Sequence, residues 1–358
     1  MLNRFFLLLI CLFPALLKAQ PDTSFRFVDA STLDMIGKAP FVKRGTYHRI
    51  DSSVFGMLPK RVADLATNSA GIQIGFQTDS RAIRVRWVLH EIVRLYNMTP
   101  LAINGLDLYG WNGENWQYVS SARPAKDSND IVVISNLDGK MRHYRLYLPL
   151  YSSVKSLEVG VNPQATISKS DKKFLPSGKI VVYGTSITQG ASASRPGMAW
   201  TSIISREMNI EMFNLGFSGS AKMEPALADV LASMDAEMYI LDCVPNMTAG
   251  MIRERAIPFV QRLRKFKPNT PILMIESIIR EHSHWNQEIG KQMTAQNLAF
   301  RETYEQLIKE GFKDIHYIDA KNLMGDDHEA TIDGTHLTDL GFMRFSEVVI
   351  KELRRLMK

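Results

Sequence analysis

The residues of this chain that are best suited to chemistry stand at the ends of apolar segments in its second half. Ser186 follows the apolar run KIVVYG at 179–184, and Asp333 and His336 lie three residues apart in DGTH, so they can face the same way. A serine hydroxyl is a weak nucleophile until a base takes its proton, and a histidine oriented by a carboxylate is such a base. These residue types predict nucleophilic catalysis by Ser186, with His336 as base and Asp333 as its orienting partner.

Two further segments supply hydrogen-bond donors for an oxyanion. Gly219 stands in NLGFSGS after the second apolar run of this half, and Asn246 stands in LDCVPNMT after the third. In open α/β sheets, catalytic and ligand-binding residues lie at the carboxyl ends of the strands. The strand order 2-1-3-4-5 makes the loops of Ser186, Gly219 and Asn246 neighbours. The predicted oxyanion hole therefore consists of the backbone amides of Ser186 and Gly219 and the side-chain amide of Asn246. Each donor is worth about 3 kcal/mol of barrier by analogy with measured cases.

Other interpretations of these residues stay open at this point. Ser186 could cap a helix, or its loop could cradle phosphate, although the loop matches neither common phosphate-loop spacing and would leave DGTH without a role. Gly219 could serve only in a turn. Asp333 and His336 could join the acidic and histidine side chains at 282, 284 and 326–328 around a metal, but no four of these have the spacing of a ligand set. We therefore predict no metal and no cofactor.

The pattern of apolar residues changes near residue 170. Between 71 and 162, short runs of alternating apolar residues are separated by Asn, Asp, Gly and Pro, which is typical of an all-β sandwich. Later in the chain, near-continuous apolar runs alternate with amphipathic stretches, which predicts five β–α units around a parallel sheet. We predict a jelly-roll-like β-sandwich domain over 20–168 and a flavodoxin-like three-layer α/β/α domain over 177–358.

The first 19 residues predict export of the protein. Arg4 precedes an apolar run at 5–17, which is too short to span a bilayer as a helix and is typical of a signal peptide cut near Ala19. We therefore expect a secreted or periplasmic protein without a stable membrane anchor. Loss of Arg4 and Lys18 lowers the net charge from +6 to +4, and the basic residues form no stripe that would bind nucleic acid. The single remaining cysteine, Cys243, excludes a disulfide framework.

Four segments, taken in order, resemble the sequence blocks of the GDSL, or SGNH, hydrolase family: GTSITQG, NLGFSG, DCVPNM and DGTH. The family is named for a Ser, a Gly, an Asn and a His, which the resemblance places at Ser186, Gly219, Asn246 and His336. The first and third blocks read G-T-S-I and P-N-M here, where G-D-S-L and G-N-D are common. In addition, INGLDLYGW at 103–111 resembles the GxDLY motif of a β-domain that precedes one SGNH branch.

This resemblance, the predicted export and the β-sandwich favour a serine esterase that hydrolyses carboxylic esters through an acyl-serine intermediate. By analogy with the family, the expected partner is an acylated carbohydrate, with acetyl as the acyl group, or another small ester. A lysophospholipase or thioesterase is the alternative within the enzyme class. A glycan-binding protein that has lost activity is the alternative outside it. The sequence indicates no oligomeric state.

Four further residues are candidate substrate contacts. Trp285 lies in EHSHW, a predicted loop over the cleft, and Asp107, Tyr109 and Trp111 lie in INGLDLYGWNGENW. The second segment is rich in Gly and Asn, so we expect turns there rather than a continuous strand. Its side chains either meet the catalytic domain or bind glycan, and ligand sites often form between domains. We therefore expect the sandwich to form one wall of the cleft.

Overall fold

The computed structural model describes residues 24–357 except 40, 41 and 44, so the predicted signal peptide and its cleavage near Ala19 lie outside the described residues. Two antiparallel sheets come from the first half of the chain and one parallel sheet comes from the second half. The change of apolar pattern near residue 170 therefore coincides with the change from antiparallel to parallel strands.

The first half is a sandwich of two antiparallel sheets, as predicted. Its strands are β1 (Arg26–Asp29), β2 (Asp34–Ile36), β3 (Gln73–Thr78), β4 (Ile83–Leu89), β5 (Leu106–Trp111), β6 (Trp116–Ala122), β7 (Ser128–Ile134), β8 (Arg142–Tyr147), β9 (Val154–Val161) and β10 (Ile167–Ser168). One sheet has the order β1-β9-β4-β7, and the other has the order β10-β3-β8-β5-β6 with β2 paired to β3. Phe76, Trp87 and Val159 belong to the buried core of this half.

The segment INGLDLYGWNGENW departs from the expected run of turns. Residues 106–111 form β5, which pairs with both β6 and β8, so the turn is confined to the residues between β5 and β6. Asp107 is stable within a strand because the side chains of Ser121 and Arg195 and the backbone amide of Gly197 donate to its carboxylate. The prediction of turns was wrong because these tertiary partners outweigh the local preference of the segment.

The second half is a five-stranded parallel sheet covered by helices. The strands are β11 (Lys179–Gly184), β12 (Glu211–Gly216), β13 (Met238–Asp242), β14 (Ile272–Ile275) and β15 (Ile315–Ile318), in the order β12-β11-β13-β14-β15. This is the predicted order 2-1-3-4-5. The helices of this half are α3 (Ser186–Gln189), α4 (Trp200–Met208), α5 (Pro225–Ser233), α6 (Ala249–Phe266), α7 (Gln287–Lys309) and α8 (Asp339–Leu356). Residues of α4 and α8 share a core with one face of the sheet, and residues of α5, α6 and α7 share a core with the other.

Both faces of the parallel sheet also receive cover from the first half, which contributes the helices α1 (Lys60–Ala66) and α2 (Pro100–Asn104). On one face Ile50 and Val62 lie in the same buried cluster as Phe213 of β12. On the other face Ile103 and Leu150 lie in the same buried cluster as Val182 of β11. The two halves therefore share their cores.

Arg49 joins the two halves from a position that is only 1% exposed. Its Nη1 donates to the carbonyl oxygens of Asn214 at 2.9 Å and Gly216 at 2.6 Å, at the end of β12. Its Nε and Nη2 donate to the carbonyl oxygens of Asn68 at 3.1 Å and Leu65 at 2.6 Å. Burial lowers the pKa of the guanidinium to about 9. Because a buried charge is stable only when its donors are satisfied, these bonds fix β12 relative to the first half.

Asp242 ends β13 inside the protein, where it is 2% exposed. Its carboxyl group accepts the hydroxyl hydrogen of Thr188 at 2.5 Å. Burial raises the pKa of this carboxyl to about 7, and the bond from Thr188 lowers it only in part. Because the ordinary pKa of an aspartate is 3.8, the folded chain holds one more proton than the unfolded chain between these two values.

We expect a chain that begins at Ser170 to fold poorly, because it lacks Arg49 and the apolar residues that cover part of the parallel sheet. Its soluble yield, thermal unfolding and binding of the dye ANS should be compared with those of a chain that begins at Ser24. The shorter chain should give little soluble protein, or soluble protein that binds the dye and unfolds without a cooperative transition. Cooperative unfolding without extra dye binding would contradict the shared cores.

Asp242 should make the protein less stable as the pH rises toward about 7. Its folded pKa is raised, so its contribution to stability is fully present below the unfolded pKa and is lost as the pH rises through the folded pKa. Asp242→Asn removes this titration. The free energy of unfolding of the variant minus that of the wild type, measured with urea, should therefore increase by up to about 1.4 kcal/mol per pH unit until about pH 7. A difference that is the same at every pH would contradict a buried, protonated carboxyl.

Candidate active site

The structure brings Ser186, His336 and Asp333 together at the carboxyl end of β11. Ser186 Oγ lies 2.9 Å from His336 Nε2, and His336 Nδ1 lies 2.8 Å from Asp333 Oδ2. When Nδ1 carries the imidazole proton and donates it to Asp333, Nε2 is free to accept the serine hydroxyl hydrogen. Ser186 is 9% exposed and the side chains of His336 and Asp333 are each 23% exposed, so the three groups line a partly open site.

Ser186 is the first residue of α3, a single turn that begins just beyond β11. Thr185 caps this turn, since its hydroxyl accepts the backbone N–H of Ile187 at 3.3 Å. Gly190 ends the turn in the left-handed region with a φ of 104°. The cap and the glycine confine the helix to one turn, and the serine is therefore held at the edge of the sheet.

Gln189, the last residue of α3, ties this turn to its surroundings. Its Nε2 donates to Asn68 Oδ1 at 3.0 Å and to the carbonyl oxygen of Leu150 at 3.1 Å, and its Oε1 accepts the backbone N–H of Ser218 at 3.0 Å. The turn approaches β12 so closely that a Cβ on Gly216 would lie 2.1 Å from the backbone nitrogen of Gln189. One side chain therefore joins the serine turn, the first half and the loop that follows β12.

Asp333 and His336 lie on the long connection between β15 and α8. Asp333 Oδ1 accepts the backbone N–H groups of His336 at 2.8 Å and Thr335 at 3.1 Å. Burial opposes ionisation of this carboxyl, but the bonds from the backbone and the imidazole hold its pKa at about 2. Because β15 is the edge strand of the sheet, the connection has to return across it to bring His336 to β11, which accounts for its length.

Gly219 and Asn246 lie on the loops that leave β12 and β13, the two neighbours of β11. Gly219 is exposed and has a φ of 67°, a conformation that favours glycine. The side-chain amide of Asn246 donates to the carbonyl oxygen of Ser220, so Asn246 lies against the Gly219 loop. The loops of Ser186, Gly219 and Asn246 thus meet at one edge of the sheet, where their N–H groups are the candidate oxyanion donors.

The structure places Asp107 and Tyr109 in the contact between the two halves. Asp107 is fully buried, and its Oδ2 accepts hydrogen bonds from the Arg195 guanidinium at 2.8 Å and the Gly197 amide at 2.9 Å. Tyr109 is 4% exposed, and its hydroxyl accepts a second bond from Arg195 at 2.6 Å. The prediction that Asp107 and Tyr109 contact the substrate was therefore wrong, because buried and partnered groups are not available to a ligand.

The two tryptophans predicted to contact substrate have different surroundings. The ring of Trp111 packs edge to face against that of Phe174 in the linker, with 5.6 Å between the centroids. Trp285 is 83% exposed and follows the short helix Glu281–Ser283. The backbone N–H of Glu281 donates to the carbonyl oxygen of Gly334 at 3.0 Å, so the loop of Trp285 contacts the turn that holds Asp333.

Asn97 of the first half also reaches the site. Its Nδ2 donates to Asp333 Oδ2 at 3.1 Å and lies 3.3 Å from His336 Nδ1. Asn97 stands on the loop between β4 and α2, 236 residues before Asp333. The sequence around it, N-M-T at 97–99, predicts no role in catalysis, and the docking of the two halves brings it to the carboxylate.

The candidate metal ligands of the sequence are dispersed among other partners. Across residues 24–357, with 40, 41 and 44 left aside, no group of three or more His, Cys, Asp or Glu side chains is arranged to hold a metal ion. His328 Nδ1 lies 2.8 Å from Glu281 Oε2, and Asp327 bonds the Arg344 guanidinium at 2.6 Å.

None of the helices formed by the described residues combines the length and apolar character that a membrane crossing requires.

Comparison with known proteins covers both halves of the chain. Residues 177–354 match the GDSL-like lipase/acylhydrolase family, and residues 25–167 match the family described as the N-terminus of SGNH-hydro-type esterases. No curated protein sequence matches the chain.

Three solved structures illustrate the likeness. A GDSL-like lipase from Bacteroides ovatus is 39% identical with a TM-score of 0.90, over 93% of this chain and 98% of that one. A salicylyl-acyltransferase from a tetracycline biosynthetic pathway is 19% identical with a TM-score of 0.74, over the same shares of 93% and 98%. A family two carbohydrate esterase from Clostridium thermocellum, in complex with cellohexaose, is 10% identical with a TM-score of 0.58, over 80% of this chain and 93% of that one. The last two share the fold alone.

The identity of 39% over nearly the whole chain agrees with the two family matches and with the meeting of Ser186, Asp333 and His336. The chain belongs to the GDSL-like lipase/acylhydrolase family and carries the N-terminal GxDLY domain of SGNH-type esterases.

Proposed function

We propose that this protein is a serine esterase that hydrolyses carboxylic esters through an acyl intermediate on Ser186. The contacts of His336 with Ser186 at 2.9 Å and with Asp333 at 2.8 Å carry this proposal. His336 Nε2 takes the hydroxyl proton as Ser186 Oγ attacks the ester carbonyl carbon, and Asp333 stabilises the imidazolium that forms. His336 then gives the proton to the departing alkoxide. Water, activated by the same base, releases the acyl group from Ser186.

Hydrogen-bond donors at the edge of the sheet stabilise the negative charge of each tetrahedral intermediate. The backbone amides of Ser186 and Gly219 and the side-chain amide of Asn246 supply these donors, each worth about 3 kcal/mol. The pKa of about 2 keeps Asp333 ionised at neutral pH, so the imidazolium has a counter-charge when it forms. The oxyanion and the imidazolium are therefore both stabilised without a metal ion in the proposed reaction.

The proposed substrate is a carbohydrate that bears small acyl groups such as acetyl. Two aromatic rings stand exposed on loops that contact the Asp333 turn: Trp285 is 83% exposed and Tyr96, the neighbour of Asn97, is 94% exposed. Such rings offer an apolar face to a sugar while their polar edges stay in water. The carbohydrate esterase with bound cellohexaose shares the fold and supports the proposal by analogy.

We also propose that the protein acts outside the cytoplasm, either secreted or in a periplasm. The support is the N-terminal sequence, in which Arg4 and the apolar run at 5–17 have the pattern of a signal peptide. Export would bring the enzyme to polymeric glycans, which agrees with the proposed substrate.

Ser186→Ala should lower the hydrolysis of p-nitrophenyl acetate by a factor of about 10⁴ or more while the protein stays folded. A fluorophosphonate probe should label the wild type at Ser186, as determined by mass spectrometry of the digested protein. Ser218→Ala, which removes a serine hydroxyl from the neighbouring loop, is the control and should still be labelled. Labelling of a different serine in the wild type would refute the assignment of the nucleophile.

The rate on p-nitrophenyl esters should decrease from acetate to long acyl chains, and the wild type should release acetate from acetylated polysaccharide. Trp285→Ala should lower kcat/KM on the polysaccharide about fivefold and leave p-nitrophenyl acetate hydrolysis unchanged, because a stacked sugar ring loses its aromatic face. Phe266→Ala, at the exposed end of α6, is the matched control and should behave as the wild type. A rate that increases with acyl length would instead favour a lysophospholipase or thioesterase.

A further inference from the structure

Asn97 brings the first half into contact with the Asp333–His336 pair. Its Nδ2 lies 3.1 Å from Asp333 Oδ2 and 3.3 Å from His336 Nδ1. An ionised carboxylate only accepts hydrogen bonds, so the end of the Asn97 amide that faces Asp333 is its NH₂ group. Since the Nδ1–H of His336 also points at Asp333 Oδ2, that nitrogen has no lone pair to offer. The amide of Asn97 therefore donates to the carboxylate.

Asn97 is the fourth donor to the Asp333 carboxylate. Oδ1 accepts the backbone N–H groups of Thr335 and His336, and Oδ2 accepts the imidazole and the amide of Asn97. The other three donors belong to the same turn as Asp333, whereas Asn97 comes from the other half of the chain. With two donors on each oxygen the carboxylate plane is fixed, and this plane sets the direction of the imidazole.

The loop before α2 is a rigid support for this amide. Asn104 Nδ2 donates to the carbonyl oxygen of Val93 at 2.9 Å, and the backbone N–H of Val93 donates to Asn104 Oδ1 at 3.2 Å. The hydroxyl of Thr99 donates across the boundary between the halves to the carbonyl oxygen of Ser194 at 2.6 Å. Met98 is buried in a core that both halves share. The loop is thus fixed on both sides of Asn97.

We propose that Asn97 is a positioning residue for the esterase reaction, which acts through Asp333 and makes the chemical step depend on the docked β-sandwich. This inference rests on the proposed function of Ser186. The contact lies on the side of the imidazole away from Ser186, so it affects every ester, including those too small to touch the sandwich. Its expected effect is on kcat, whereas a sandwich that served only as a wall of the cleft would affect large substrates.

Asn97→Ala should lower kcat for p-nitrophenyl acetate about tenfold, which corresponds to about 1.4 kcal/mol of barrier, and leave KM unchanged. Asn115→Ala, on the exposed turn between β5 and β6, is the matched control and should keep wild-type values. Ser186→Ala, measured alongside, separates the two hypotheses. If Ser186→Ala retains activity, the proposed function is wrong. If Ser186→Ala is inactive and Asn97→Ala keeps the wild-type kcat, only the role of Asn97 is wrong.

Asn97→Asp distinguishes positioning from a general loss of structure, because it keeps the shape of the side chain. The new carboxyl faces Asp333, and His336 is the other titratable side chain that contacts Asp333 within the described residues. Two adjacent carboxyls share a proton at low pH, so the new group can then donate in place of the amide, whereas at higher pH it repels Asp333. At about pH 8, where the new group is ionised, the ratio of variant to wild-type kcat should therefore be about one tenth.

The same ratio for Asn97→Ala should not change with pH, since alanine has nothing to titrate. Thermal unfolding of both variants verifies that they are folded. If Asn97→Ala is not folded, Asn97→Asp alone tests the proposal. A wild-type kcat for Asn97→Asp at about pH 8, or a rise in KM without a loss of kcat in either variant, would overturn the proposal.

Discussion

Arg49 is a buried cation held by four main-chain carbonyl oxygens, two from each half of the chain. The residue is 1% exposed, so its N–H groups depend on protein acceptors in the right direction, and a buried polar group left unpaired costs about 1–3 kcal/mol. The apolar contacts on both faces of the parallel sheet also join the halves, but they have no preferred direction. The directional bonds of Arg49, together with those of Asp107 to Arg195 and Gly197, therefore define how the halves are docked.

Docking matters because the first half contacts three parts of the candidate site. Arg49 holds the end of β12, which leads into the Gly219 loop. Asn68 accepts a bond from Gln189 in the serine turn, and Asn97 donates to Asp333. The β-sandwich is therefore part of the frame of the site. The GDSL-like domain therefore shares the frame of its candidate site with the half that precedes it.

Much of this arrangement follows from the sequence, because it depends on patterns that local residues carry. Continuous apolar runs predicted the parallel strands, and the order 2-1-3-4-5 then placed the loops of Ser186, Gly219 and Asn246 side by side. Asn97 and Asp107 could not be assigned in this way. The partners of Asp107 include Arg195, and Asn97 finds its acceptor 236 residues later, so neither position is explained by its neighbours in the chain. Tertiary bonds likewise made β5 a strand where glycine and asparagine favour turns.

The asparagines at this site bear on the kind of cell that can make an active protein. Asn97 and Asn246 each begin the triplet N-M-T, the acceptor sequence for N-linked glycans. Such a glycan is attached to the side-chain nitrogen, the atom through which Asn97 bonds Asp333 and Asn246 bonds Ser220. A glycan attached at either position would therefore replace one of the two N–H groups of that amide with a bulky sugar. Expression in a host that attaches no N-linked glycans keeps both amides in the form that makes these contacts.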